Sequence, residues 1–92
     1  MNVRWTPTAS RDLQSIHAYI AKENPDAAPA AIARIVDATD ALGRHAYMGR
    51  KGRVAGTREL VVPPYVVVYK LKRGGIEINA IIHSARRWPE SL

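Results

Sequence analysis

A chain of 92 residues with a formal charge of +6 and 47% hydrophobic side chains can bury one small core; chains this short rarely divide further, so residues 1–92 are predicted to form a single domain. The absence of cysteine excludes a disulfide framework, thiolate zinc ligation and a cysteine nucleophile. No apolar run approaches the roughly 20 residues that a membrane-spanning helix needs, and residues 1–7 lack a signal-peptide layout, which together predict a cytoplasmic protein with no membrane partner.

Residues 1–43 hold four basic and five acidic side chains, whereas residues 44–92 hold ten and three. The excess positive charge therefore lies wholly in the second half. That asymmetry points to a polyanionic or acidic partner meeting one region of the surface, against the plainer reading of a soluble basic protein.

In chain order, Val3 and Trp5 alternate with polar neighbours over residues 2–6, as a half-buried opening strand would. Thr6-Pro7 then supplies an N-cap and a proline at the first helical position. Ala9, Leu13, Ile16 and Ile20 make the apolar stripe of a first helix. Asn24-Pro25 ends it and caps a second, with Ala28, Ile32, Ile35, Thr39 and Leu42 as its stripe, Asp26 in its first turn to suit the helix dipole and Gly43 as a natural C′ residue. So short a joint folds the two helices back as an antiparallel hairpin.

Residues 44–56, with glycines, arginines and little apolar periodicity, are predicted to be a surface loop. Residues 59–62 form a strand and Pro63-Pro64 a turn. Tyr65, Val67, Tyr69 and Leu71 then share one face of a β-rich run, so core packing of both tyrosines is favoured over base stacking. Arg73-Gly74-Gly75 reads as a tight hairpin turn. In the last strand Ile76, Ile78, Ala80 and Ile82 alternate with Glu77, Asn79, Ile81 and His83, which would give one core face and carry His83 toward solvent. The expected fold is α+β: β-α-α-β-β-β, with the helical hairpin on one face of a small antiparallel sheet and function on the uncovered face beside the basic loop.

An ordered set of short segments now carries a resemblance. It runs from Trp5-Thr6-Pro7-Thr8-Ala9, Asp12-Leu13, Ile16, Tyr19-Ile20 and Asn24-Pro25 through Gly49-Arg50-Lys51-Gly52-Arg53 and Gly56-Thr57-Arg58-Glu59-Leu60-Val61. It continues with Tyr65-Val66-Val67-Val68-Tyr69 and His83-Ser84-Ala85-Arg86-Arg87-Trp88-Pro89. Covering nearly the whole chain, the set resembles a ParE-like member of the RelE/ParE superfamily of bacterial type II toxin–antitoxin systems. The resemblance implies a growth-inhibiting toxin, neutralised by a cognate antitoxin whose partly disordered segment wraps it, and reaching operator DNA only through that antitoxin. ParE-like members poison DNA gyrase. RelE-like members cut messenger RNA on the ribosome, so one scaffold hosts two activities.

If the chain is such an mRNA interferase, it is a metal-independent endoribonuclease and needs cations near the scissile phosphate with groups to move two protons. Arg86 and Arg87 fall where RelE-like toxins carry a catalytic arginine. His83 could act as acid or base because its ordinary pKa is near neutrality, or it could be a hydrogen-bonded structural histidine. The arginine that RelE-like proteins place before the central strand falls at or near apolar Val61, with Arg58 the nearest cation, and the C-terminal tyrosine of several ribonucleases has no counterpart. This departure favours the ParE-like, gyrase-binding reading.

For binding target or antitoxin, the candidates are Arg50, Lys51, Arg53, Arg58, Arg86, Arg87 and Trp88. Arg58-Glu59 could instead be a cross-strand ion pair, and Trp88 could lock the tail over the core. His17, His45 and His83 lack metal-ligand spacing, so no metal or other cofactor is assigned.

Overall fold

The computed structural model describes residues 1–84. In chain order its elements are β1 (Asn2–Trp5), α1 (Pro7–Glu23), α2 (Ala27–Leu42), β2 (Arg50–Lys51), β3 (Arg58–Val62), β4 (Tyr65–Lys72) and β5 (Gly75–His83). The strands form one sheet in the order β1-β5-β4-β3-β2. The α+β layout, the helical hairpin and the antiparallel run β3-β4-β5 are as the sequence predicts. Two features extend that reading. β1 runs parallel to β5, which makes the sheet mixed, and the segment expected to be a loop holds the short strand β2, antiparallel to β3.

Local chemistry sets the helix ends. Thr6 caps α1, its Oγ1 accepting from the Ala9 N–H at 3.1 Å, with Pro7 following at the first helical position. The Asn24 carbonyl side-chain oxygen accepts from Ala27 N at 3.3 Å, so one residue serves the joint between both helices. Asp26 occupies the N-cap of α2 but makes no side-chain capping bond. Gly43 closes α2 with φ −61°, so no left-handed turn calls for it. What it provides is room: a Cβ there would lie 3.0 Å from the Met1 carbonyl oxygen, and the Met1 ammonium donates to the Gly43 carbonyl at 2.9 Å.

Ala9, Leu13, Ile16 and Ile20 of α1 meet Ile35 and Leu42 of α2 over Tyr65, Val67, Tyr69, Ile76, Ile78 and Ile81 of the sheet. Both tyrosines are core residues, as their spacing predicts. The strict alternation expected along β5 does not hold. Val68 pairs with Ala80 and Tyr69 with Ile78, which leaves Asn79 as an extra residue, a β-bulge. One inserted residue reverses the facing of everything after it. Ile76, Ile78 and Ile81 therefore pack beneath the helices, whereas Ala80 and Ile82 join Val66 and Val68 on the opposite face. Those four are buried, so the face away from the helices, expected to be bare, holds a second small apolar cluster.

Past Ile78, the edge of β5 is held by the start of α1 instead of β1. The Thr6 N–H donates to the Ile78 carbonyl at 3.0 Å, the Thr6 hydroxyl to the Asn79 carbonyl at 3.3 Å, and the Ile81 N–H to the Asp12 carboxylate at 3.0 Å. These bonds supply partners that a neighbouring strand would otherwise give.

Candidate functional site at the basic hairpin

Between Leu42 and Tyr65 the chain makes a hairpin whose only carboxylate is Glu59, against Arg44, Arg50, Lys51, Arg53 and Arg58. β2 pairs Arg50 with Glu59 and Lys51 with Arg58. Successive strand residues point to opposite faces. Glu59 and Arg58 therefore cannot pair with each other, and the expected Arg58–Glu59 ion pair is absent.

Glu59 is instead almost fully buried, at 1% exposure. It accepts from the Arg50 guanidinium at 3.2 Å, from Arg53 N at 2.9 Å and Nε at 3.2 Å, and from a terminal nitrogen of Arg53 at 3.4 Å. Burial pushes its carboxyl pKa up, but the Arg53 backbone bond and the two guanidiniums outweigh that and hold it below the ordinary carboxylate value. Both arginines keep about half of their side chains in solvent. They edge a cleft of about 520 Å³ lined by Arg50, Lys51, Arg53, Glu59, Val61, Val66 and Ser84.

Arg58 faces the other way. Its guanidinium donates to the carbonyls of Tyr47 (3.3 Å) and Gly49, and lies 5.1 Å from the centre of the Tyr47 ring. It is a brace for residues 47–49 and not an open anion site. The buried Tyr69 hydroxyl completes the brace, donating to the Ala46 carbonyl at 2.8 Å and accepting from Gly49 N at 3.0 Å. Only glycine fits at 49, because a Cβ would lie 2.7 Å from that hydroxyl and 2.8 Å from the Glu59 carbonyl oxygen.

The structure thus brings Arg50, Lys51, Arg53 and Arg58 into one hairpin but gives them different duties. His83 is not among them. It is exposed at the end of β5, its ring edge-on to Tyr65 with centroids 5.7 Å apart and planes at 84°. There it lines a separate groove of about 780 Å³ with Asp12, Ser15, Ile16, Tyr19, Pro64, Tyr65 and Ile81. Arg86, Arg87 and Trp88 lie outside the described residues. Among the described residues no three His, Cys, Asp or Glu side chains gather to hold a metal, and no helix is long and apolar enough to cross a membrane.

Sequence reasoning passed over Glu59 as an anchor, Tyr47 and Met48 as exposed side chains, and Asp12 as a partner of β5. Strand parity at Arg58-Glu59 held a usable signal for the first. The others depend on contacts between residues distant in sequence.

Two helices on one face of a mixed five-stranded sheet, with an arginine-rich hairpin at its edge, define a RelE/ParE-like domain. Residues 3–88 match the family described as the ParE toxin of the type II toxin–antitoxin system parDE, and the chain belongs to that family. It is 45% identical over 92 residues to the toxin-family protein Y4kP of Sinorhizobium fredii, covering 98% of this chain and 95% of the relative. It is 37% identical over 84 residues to toxin RelE2 of Caulobacter vibrioides, covering 91% of this chain and 96% of that one. Among solved structures, a chain of the chromosomal ParDE toxin–antitoxin system from P. aeruginosa superposes with a TM-score of 0.83 at 27% identity, covering 90% of this chain and 95% of its own. A chain of the RelBE2 toxin–antitoxin complex from Mycobacterium tuberculosis gives 0.65 at 25% identity, covering 89% and 88%.

Proposed function

We propose that this toxin arrests growth by binding DNA gyrase, and that a cognate antitoxin with an acidic, partly disordered segment neutralises it. The reading rests on how the hairpin cations are used. A ribonuclease of the RelE type needs guanidinium or ammonium groups aimed at a phosphate. Here Arg50 and Arg53 are turned onto Glu59 and Arg58 onto backbone carbonyls. Val61, where the RelE pattern has an arginine, is apolar and 45% exposed. That surface suits protein recognition better than phosphate chemistry.

The antitoxin reading draws on the two structural neighbours, both from toxin–antitoxin systems. Its carboxylates would meet the basic half of the chain, and operator DNA would be reached only through it. Action on gyrase belongs in the cytoplasm.

The 37% identical relative named RelE2 supports a second reading, a ribosome-dependent mRNA endonuclease using Arg86 or Arg87 with His83. Brief induction without antitoxin separates the two. Growth arrest with loss of DNA supercoiling, and inhibition of purified gyrase, is the expected result. New RNA 5′ ends in codon register within translated messages, with gyrase unaffected, would replace it with the ribonuclease.

A further inference from the structure

Tyr47 and Met48 are large apolar side chains left 73% and 47% exposed, next to each other on the segment that joins α2 to β2. Connecting segments run over the surface and are commonly more mobile than the elements they join. This one is fixed from beneath at three backbone positions in a row or nearly so: the carbonyl of Ala46 by the Tyr69 hydroxyl, that of Tyr47 by Arg58, and both the N–H and carbonyl of Gly49 by those same two side chains. Met48 N adds a bond to the His45 carbonyl at 3.0 Å.

The brace carries a penalty within the fold. Arg58 Nε is buried without a hydrogen-bond partner among the described residues, and residue 49 is restricted to glycine. A fold that keeps a partly unsatisfied guanidinium under a loop gains a loop of fixed shape. Fixed shape matters at a recognition surface, because side chains ordered beforehand lose less entropy on binding. Tyrosine is among the residues that most often anchor protein interfaces, and methionine adapts to an apolar socket.

The surroundings select the partner. Between Asp40 and Glu59 the chain has no carboxylate; Arg44 stands exposed on the same segment, and Lys51, also exposed, is the cross-strand partner of the brace residue Arg58. We infer that Tyr47 and Met48 are the preformed anchor through which the toxin docks on its target, a folded protein surface with an apolar socket rimmed by carboxylates. A single-stranded nucleic acid fits less well. One face of the Tyr47 ring is already taken by Arg58, and the neighbouring Met48 offers no plane for a second base.

This inference rests on the protein-binding reading above, with gyrase as its probe. Binding of purified gyrase, of the cognate antitoxin and of a single-stranded RNA oligonucleotide is measured for the wild type, Tyr47→Ala, Met48→Ala and Tyr47→Phe, with thermal melts as the folding control. The expected result is about thirtyfold weaker gyrase binding for each alanine variant, as for an interface hot spot. Tyr47→Phe should stay close to wild type, antitoxin binding should be retained, and all melts should stay cooperative, with only a small drop for Tyr47→Ala, which loses the ring contact with Arg58. Equal gyrase binding by wild type and both alanine variants overturns the inference, as does loss of antitoxin binding in parallel with that of gyrase. RNA binding that disappears with Tyr47→Ala also overturns it, since the partner would then be a stacked base. If wild type does not bind gyrase, the gyrase reading fails separately and growth decides. Folded alanine variants that no longer arrest growth keep the anchor for another acidic protein, and variants that still arrest growth dismiss it.

Discussion

Replacing Glu59 by glutamine tests whether the buried carboxylate organises the basic hairpin. The wild-type side chain accepts four hydrogen bonds from Arg50 and Arg53. A glutamine keeps one acceptor oxygen and turns an NH₂ group toward guanidiniums that also only donate. Hydrogen bonds to charged groups contribute about 1.5–3 kcal/mol each, but both arginines are half in water and can be resolvated, which lowers the share of each to about 1 kcal/mol or less. The net loss should be about 2 kcal/mol at neutral pH.

With a urea m-value of about 1–3 kcal/mol/M for a small domain, that loss moves the unfolding midpoint down by about 1 M. The pH dependence gives the stricter test. Because the folded carboxyl pKa lies below its ordinary value, about 4.5, its contribution is complete above that unfolded value and fades as pH falls through the folded pKa. The gap between wild type and Glu59→Gln should therefore stay constant from pH 7 to about pH 5 and narrow in more acid solution. Equal midpoints at pH 7, or a gap that widens on acidification, would refute the assignment of Glu59 as an ionised anchor.

Tyr69→Phe removes one donor and one acceptor beneath residues 46–49 and should destabilise the chain by about 1–3 kcal/mol, with faster hydrogen exchange at the Gly49 amide as its local sign. Gly49→Ala places a methyl within 3 Å of the same hydroxyl and of the Glu59 carbonyl; a lower melting temperature is expected, by the equivalent of about 1–3 kcal/mol. Asp12→Ala leaves the Ile81 N–H, two residues past the bulge, unpaired, for a loss of about 1–3 kcal/mol in urea unfolding, whereas Asp12→Asn, which can still accept that bond, should recover most of it.

Where local rules govern, the sequence was easy to read. Thr6-Pro7 and Asn24-Pro25 mark helix boundaries through their own side chains and ring, and the period of Ala9, Leu13, Ile16 and Ile20 declares which face of α1 is buried. The β3-β4-β5 run followed from β-branched residues punctuated by Pro63-Pro64 and Gly74, whose φ of +81° is the conformation a hairpin turn requires. The parallel pairing of β1 was not legible, because it joins Asn2 to Gly75 and no local pattern records such a partner. Nor was β2, two charged residues long with nothing to alternate. The bulge escaped because Ile81 and Ile82 are both apolar, so either facing of the strand end satisfies a period of two. At the candidate site the residue types could be named, but not their duties: composition cannot distinguish an arginine that faces a ligand from one that holds a carboxylate or a carbonyl.

The Asn79 bulge has a consequence for how this domain can change. β5 supplies Ile76, Ile78 and Ile81 to the layer under the helices, and Ala80 and Ile82 to the layer on the far side. Both layers are thus counted off along a single strand. Exchanging one aliphatic side chain for another of similar volume disturbs one layer at a time. Gaining or losing one residue between 78 and 81 would reverse the facing of every residue after it, sending Ile81 to the far layer and Ile82 beneath the helices, and would displace the Ile81 N–H from Asp12. Among related chains, the spacing from Ile76 to His83 should therefore be preserved even where the residues that fill it are not.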